Sequence, residues 1–293
     1  MPLSALALVV LAGLIHACWN IVAKKVGGDA RFAFFTGALM MLVWAPLGLW
    51  QSWLQLPDWG WQAYCVVVVS GFLHVGYYLV LLRGYREADL TVVYPLARGS
   101  GPLLSSTLAI LFLGEQLSAL GGAGIAAVVG GVFLVAGGPS LFRAAQDPAR
   151  RQRVRAGIFY GLATGVFISA YTVVDGWGVK VLGVSPILID YLGNLVRLVV
   201  LLPLVIPARA GLGELFRLQW KGALLVATIS PVSYVLVLYA MQVAPLSHVA
   251  PAREVSMLFA ALIGGHLLSE GDRVVRVLGA ACIASGVMAL ALG

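Results

Sequence analysis

The sequence predicts an all-α integral membrane protein: ten transmembrane helices arranged as two inverted five-helix repeats. Three observations predict it. First, 61% of the 293 residues are hydrophobic, 11% are charged and the mean hydropathy is +0.97, against about 25% charged in an average globular domain. Such a chain cannot clothe a water-facing surface, so lipid is its solvent. Second, ten stretches come close to the roughly 20 apolar residues that a helix needs to cross about 30 Å of hydrocarbon. Third, a block recurs. Ala88-Asp89-Leu90-Thr91-Val92-Val93-Tyr94-Pro95-Leu96-Ala97-Arg98 is echoed by Ala244-Pro245-Leu246-Ser247-His248-Val249-Ala250-Pro251-Ala252-Arg253, and Glu115 and Glu270 each follow their arginine by 17 positions.

The expected spans are 3–23, 32–50, 62–82, 89–112, 119–137, 156–176, 186–206, 221–242, 246–268 and 274–292. The first begins almost at Met1 but lacks the basic region and small-residue cleavage site of a signal peptide, so it reads as a retained span; it carries His16, Trp19 and Asn20. Pro57-Asp58-Trp59-Gly60 closes the second. The third carries His74, Tyr77 and Tyr78, and the fourth Tyr94, Pro95 and Arg98. In the fifth, Gly122, Ala126 and Gly130 recur at a spacing of four, a pattern that lets helix backbones approach closely in lipid. The segment 139–155 is polar and basic enough to be a linker, dividing a first repeat, 1–138, from a second, 156–293. The sixth span offers Tyr171, Thr172 and Asp175, the last close enough to the span end to read as an interfacial acid. Asp190, Asn194 and Arg197 form one polar stripe on the seventh, and Tyr234 on the eighth stands opposite Tyr78 between the repeats. Pro251, Arg253 and Glu254 lie in the ninth; in the tenth Ala281, Ser285 and Ala289 repeat the small-residue spacing, so the fifth and tenth read as packing helices.

Loop charge gives the orientation. Fifteen Lys and Arg residues lie in the loops after odd spans, and the loops after even spans hold Lys180 alone. The positive-inside rule then places the odd loops in the cytoplasm and both termini outside a cell (inner) membrane. Five spans separate equivalent positions, and five is odd, so the second copy crosses the membrane upside down.

A charge at mid-bilayer costs about 2.5–3.5 kcal/mol on insertion scales, so residues that bear it usually face a cavity or a partner. Arg98 lies about 15 Å into its span at 1.5 Å per residue, near the midplane, with Tyr94 one turn before it and able to lie against the guanidinium. Arg253 is its counterpart. Pro95 and Pro251 are expected to loosen the helix beside each arginine. Glu254 adjoins Arg253 but diverges from it by about 100° on a helix, so it needs a partner on another span. Arg98 has no acid beside it and ranks first as an anchor for a substrate anion; a structural ion pair is the competing reading. His16, Trp19 and Asn20, together with His74, Tyr77, Tyr78, Tyr171 and Tyr234, are candidate cavity walls. Histidine titrates near neutral pH, which makes the proton the candidate coupling ion. Glu115 and Glu270 read as helix-end groups.

Other chemistry is excluded or unsupported. Cys18, Cys65 and Cys282 lie in apolar runs without metal or disulfide spacing. No metal site, cofactor or nucleic-acid face is called for, and no set of groups points to an enzyme. The chain is expected as a monomer or homodimer in the bilayer.

At these residues the chain resembles the EamA family of the drug/metabolite transporter superfamily, over essentially its whole length. The resemblance rests on His16-Ala17-Cys18-Trp19-Asn20, on Tyr94-Pro95-Leu96-Ala97-Arg98-Gly99 with Leu113-Gly114-Glu115, on Ala170-Tyr171-Thr172-Val173-Val174-Asp175-Gly176, and on Leu268-Ser269-Glu270. It implies a central cavity between the repeats and secondary export or exchange of a small metabolite. Combined with the arginines, it leads to the expectation of a permease for a polar metabolite carrying a carboxylate or phosphonate-like group, working by alternating access. The alternative is a flippase of a lipid or lipid-linked carrier; more remote is an intramembrane enzyme acting on lipid headgroups. Many family members keep their termini in the cytoplasm, and the charge count here argues the reverse.

Overall fold

Lipid offers the backbone no hydrogen-bond partner, so an apolar run must satisfy its own N–H and C=O groups, and a helix does so within one segment. The computed structural model describes residues 1–26, 30–88, 90–135, 151–206, 212–264 and 273–293, and these are helices joined by short turns. In chain order they are α1 (Leu3–Val26), α2 (Ala30–Val43), α3 (Ala45–Gln55), α4 (Trp61–Glu87), α5 (Leu90–Leu113), α6 (Ala119–Val135), α7 (Arg151–Lys180), α8 (Pro186–Val205), α9 (Leu212–Val243), α10 (Leu246–Ala252), α11 (Val255–Gly264) and α12 (Arg273–Leu292). Their outer faces are apolar: Trp53, Phe112 and Leu292 are 83%, 76% and 76% exposed, as a lipid-facing exterior requires.

Six of these helices are long and apolar enough to cross a membrane, or seven if α2 and α3, bent by 66° at Trp44, are one broken span. Ten continuous spans are therefore not what the described residues present. Two expected spans are broken, each beside a proline. Pro46 opens α3 and has no N–H to carry the α2 ladder onward. Pro251 ends α10, and beyond it the chain tightens into three-residue turns, with Glu254 N–H on the Pro251 carbonyl at 2.9 Å and Met257 N–H on that of Glu254 at 2.8 Å. Pro95 was expected to loosen its span as well, yet α5 stays helical through it. At 17 residues, α6 reaches about 26 Å. Most of the 139–155 linker, His266 and Glu270 lie outside the described residues.

The helices pack across the two halves, and the contacts come in related pairs. α1 packs on α9 as α7 packs on α4; α2 packs on α9 as α8 packs on α4; α5 packs on α7 as α11 packs on α1. In each case the partners exchange roles between halves, which is the signature of a two-fold repeat. The extensive α6–α12 contact joins the last helices of the halves.

That last contact uses a different face from the one the small-residue spacing suggests. A Cβ on Gly131 would fall 2.6 Å from the Gly279 carbonyl oxygen, and one on Gly124 2.9 Å from that of Gly286. The backbones therefore touch at glycines spaced by seven, two helical turns, with Val128 and Ile283 buried between them. Ala126, Gly130, Ala281 and Ser285 point outward instead.

Side-chain contacts gather the chain ends and loops at two poles. At one, the Met1 ammonium donates to Ala291 O at 2.9 Å, Ser185 N–H donates to Gln55 Oε1 at 3.1 Å, and Lys180 Nζ lies 3.3 Å from Glu115 Oε1 and 3.4 Å from Ala244 O. At the other, the Tyr160 hydroxyl donates to Glu87 at 2.6 Å and Gln219 Nε2 donates to Val26 O at 3.3 Å. The termini and the turns after α3, α5, α7 and α9 thus share one pole.

Candidate functional site

The broken ninth span creates the site. A straight helix would keep Arg253 and Glu254 in its ladder and diverging; the tight turn after Pro251 sets both at the junction of α10 and α11, facing α1 and α5. Both are buried, at 7% and 1% exposure. Glu254 finds the partner on another span that its position demands. Arg98 Nε lies 2.9 Å from Glu254 Oε2, off the axis of an aligned hydrogen bond, and Arg98 Nη2 donates to Ser256 Oγ at 2.8 Å. Tyr94, one turn before Arg98, does not cap the guanidinium; its hydroxyl points to Met257 Sδ at 3.3 Å.

The arginine without an acid next to it in sequence is the paired one. Arg253, next to the acid in sequence, has a buried Nε with no hydrogen-bond partner. Arg253 and Arg98 both act electrostatically on Glu254. Two guanidiniums converge on one carboxylate, and one positive charge is left over.

An aromatic group lies within electrostatic reach of Arg253. The His74 ring stacks on Tyr171, with centroids 4.0 Å apart, and meets the edge of Tyr234 at 5.5 Å; Tyr77 meets Tyr171 at 5.9 Å. His74 Nδ1 lies 2.9 Å from the Ser70 carbonyl. A carbonyl can only accept, so Nδ1 carries the hydrogen and Nε2 is left as the acceptor. Tyr171 and Tyr234 both act on Arg253 electrostatically, as does Glu254. His16 is within reach of both arginines, and its ring meets Trp19 edge-on at 4.8 Å. Trp19 Nε1 donates to Ser233 Oγ at 3.3 Å.

Two candidate wall residues have other partners as well. Asn20 donates to the His16 carbonyl of its own helix at 2.9 Å. Tyr78 lies within reach of Arg197, whose guanidinium donates to the Asn194 side chain.

Asp175 was expected at the interface, and it is instead fully buried at 0% exposure, with the Tyr234 hydroxyl donating to one oxygen and the other unbonded. The sequence carried a signal for it. The register of 155 positions that pairs Arg98 with Arg253 also pairs His16 with Tyr171 and Asn20 with Asp175.

Among the described residues no group of three His, Cys, Asp or Glu could hold a metal ion. The arrangement offers a cationic centre, an aromatic surround and buried hydroxyls at the meeting point of two related halves. A multi-pass helical protein with such a centre is of the class of membrane transporters. The profile of the EamA-like transporter family matches residues 3–137 and again 155–292. The chain belongs to that family. A solved crystal structure of a protein matches 99% of this chain and 98% of its own, with a TM-score of 0.73 and 16% sequence identity, a likeness of fold.

Proposed function

We propose that the protein is a secondary transporter of a small polar metabolite bearing a carboxylate or phosphonate-like group, and that Arg253 holds the anion. The observation that carries this reading is the uneven charge at the centre: Arg98 has Glu254 against it and Ser256 as a hydrogen-bond partner, while Arg253 has an unbonded Nε and lies within electrostatic reach of Tyr171 and Tyr234. A buried cation short of hydrogen-bond acceptors is favourably placed to take a carboxylate in a charge-assisted bond. Tyr77, Tyr171, His74 and Trp19 supply apolar and stacking surface around it.

Alternating access follows from the related halves. Repeats 1–138 and 156–293, joined by 139–155, cross the membrane five times each in opposite senses, and rocking of one against the other exposes the centre to either side in turn. His74, with a free Nε2, is the group suited to pass a proton if transport is proton-coupled.

A flux assay in proteoliposomes over a panel of amino acids, carboxylates and phosphonates tests the reading. Saturable uptake of an anionic member is expected, lost in Arg253→Ala and kept in part by Arg253→Lys. Saturable transport of unchanged rate in Arg253→Ala overturns the anchor.

A further inference from the structure

Glu254 and Asp175 are both buried, at 1% and 0% exposure, yet their charges are balanced differently. Glu254 has the Arg98 guanidinium against it at 2.9 Å. Asp175 forms no ion pair among the described residues. Its Oδ2 accepts the Tyr234 hydroxyl, and its enclosed Oδ1 has no hydrogen-bond partner. An unpaired carboxylate is so costly to hold away from water that such a group takes up a proton instead.

The helices packed on α7 do little to offset that charge. α4 brings Ser70, whose hydroxyl acts on the Asp175 carboxyl, and α9 brings Tyr234. Asp190 on α8 and Arg253 at the α10–α11 junction act on Asp175 through space with opposite signs. α5 meets α7 through Val92, Val93, Leu96 and Ser100, none of which titrates. On α7 itself, Tyr171 lies one turn before the acid.

A proton needs no open cavity beside its acceptor. The Tyr234 hydroxyl is bonded to Oδ2, and Ser70 Oγ lies 3.3 Å from His74 Nδ1. His74 and Tyr234 are only partly buried, so polar atoms lead from the enclosed acid to the aromatic group at the centre.

We propose that Asp175 is the proton-binding site of the transport cycle. The proton bonds to Oδ1, turning the carboxylate into the neutral acid, and leaves to water once the centre opens to the other side. An anion on Arg253 cancels the positive charge that favours ionised Asp175, so anion binding promotes proton binding, and by reciprocity the proton promotes the anion. The two therefore load together and travel in the same direction. This coupling rests on Arg253 as the anchor; the proton site does not.

Infrared spectroscopy of the full chain in lipid nanodiscs tests the site through the C=O stretch of a protonated carboxyl. As the pH is lowered from about 9 to about 6, a range in which aspartates in water stay ionised, the native protein should gain such a band. The band should be lost in Asp175→Asn, kept in Asp190→Asn and shifted in Tyr234→Phe, which removes the hydrogen bond on Oδ2. No such gain in the native protein, or a gain undiminished in Asp175→Asn, overturns the proposal; the native spectrum decides even where a variant does not fold. Proteoliposomes test the coupling with methylphosphonate as the probe. An inward proton gradient should drive accumulation in the native protein toward about tenfold per pH unit, as one proton per anion allows, and Asp175→Asn should equilibrate the probe without accumulating it. Equal accumulation in Asp175→Asn overturns the coupling role. No methylphosphonate transport by a native protein that shows the infrared band counts against the anion anchor and upholds the proton site.

Discussion

At the scale of the residue, Glu254 determines what each arginine can do. It lies against Arg98 at the break between α10 and α11, with a side chain 1% exposed. Removing one member of a buried ion pair leaves the other uncompensated and typically costs about 3–5 kcal/mol, whereas replacing both by apolar groups of similar volume is often neutral. Glu254→Gln should therefore lower the thermal unfolding midpoint in detergent markedly, and the double variant Arg98→Met/Glu254→Met should recover most of the loss. An unchanged midpoint in Glu254→Gln would remove the pair from any account of stability. Tyr234 and Asp175 make a parallel case. Tyr234→Phe strips a buried carboxylate of its donor, a loss of about 1–3 kcal/mol, and its effect should vanish in an Asp175→Asn background, because coupled residues are not additive. The arginines were legible in the sequence as costly buried charges. Their partners were not, because the i, i+4 rule for side chains on one helix says nothing about which residue of a distant helix fills the opposite position.

At the scale of the element, helix ends and glycine faces decide the packing. Glu115 follows α5 and accepts the N–H groups of Leu246 and Ser247 at the start of α10, both at 2.8 Å, with Lys180 beside it. Burial pushes its carboxyl up, but the backbone donors of Ser247 and Leu246, with Lys180, outweigh that and hold it below the usual carboxylate range. A group whose pKa is depressed by folding contributes stability that is present above its unfolded pKa and is lost as pH falls through the folded value. The melting difference between the native chain and Glu115→Gln should accordingly be full at pH 7 and shrink below about pH 4.3, the unperturbed value for glutamate. A difference that grew as pH fell would contradict the cap. The α6–α12 contact yields a sharper comparison between adjacent residues. Gly131→Ala drives a Cβ into the Gly279 carbonyl and should cost about 1–3 kcal/mol, while nothing lies within 4 Å of a Cβ on Gly130, so Gly130→Ala should be neutral or stabilise by up to about 1 kcal/mol through helix propensity. Equal effects of the two in a thermal melt would place the interface elsewhere. Sequence spacing named the right helices and the wrong face, since glycines at intervals of four and of seven both line a stripe and only the partner helix selects between them.

At the scale of the whole molecule, the inverted repeat was legible because two independent features encode it: the register of 155 positions and the charge of the loops. The breaks at Trp44 and Arg253 were not, because a proline in an apolar run permits either a kinked or a continuous helix, as the intact α5 across Pro95 demonstrates. Geometry gathers the termini and Lys180 at one pole and Glu87 and Tyr160 at the other. Loop charge, fifteen basic residues against one, predicts that the second pole is the cytoplasmic one. Exposed single cysteines at each pole turn that assignment into a measurement. On a background with Cys18, Cys65 and Cys282 replaced by alanine, Lys180→Cys should react with a membrane-impermeant maleimide in intact spheroplasts, and Arg86→Cys, near the end of α4, should react only after permeabilisation. The opposite pattern would invert the whole molecule in the membrane and leave the repeat intact. Labelling of both from one side would contradict the two-pole arrangement itself, and with it the reason for expecting the central arginines to be reached from either face in turn.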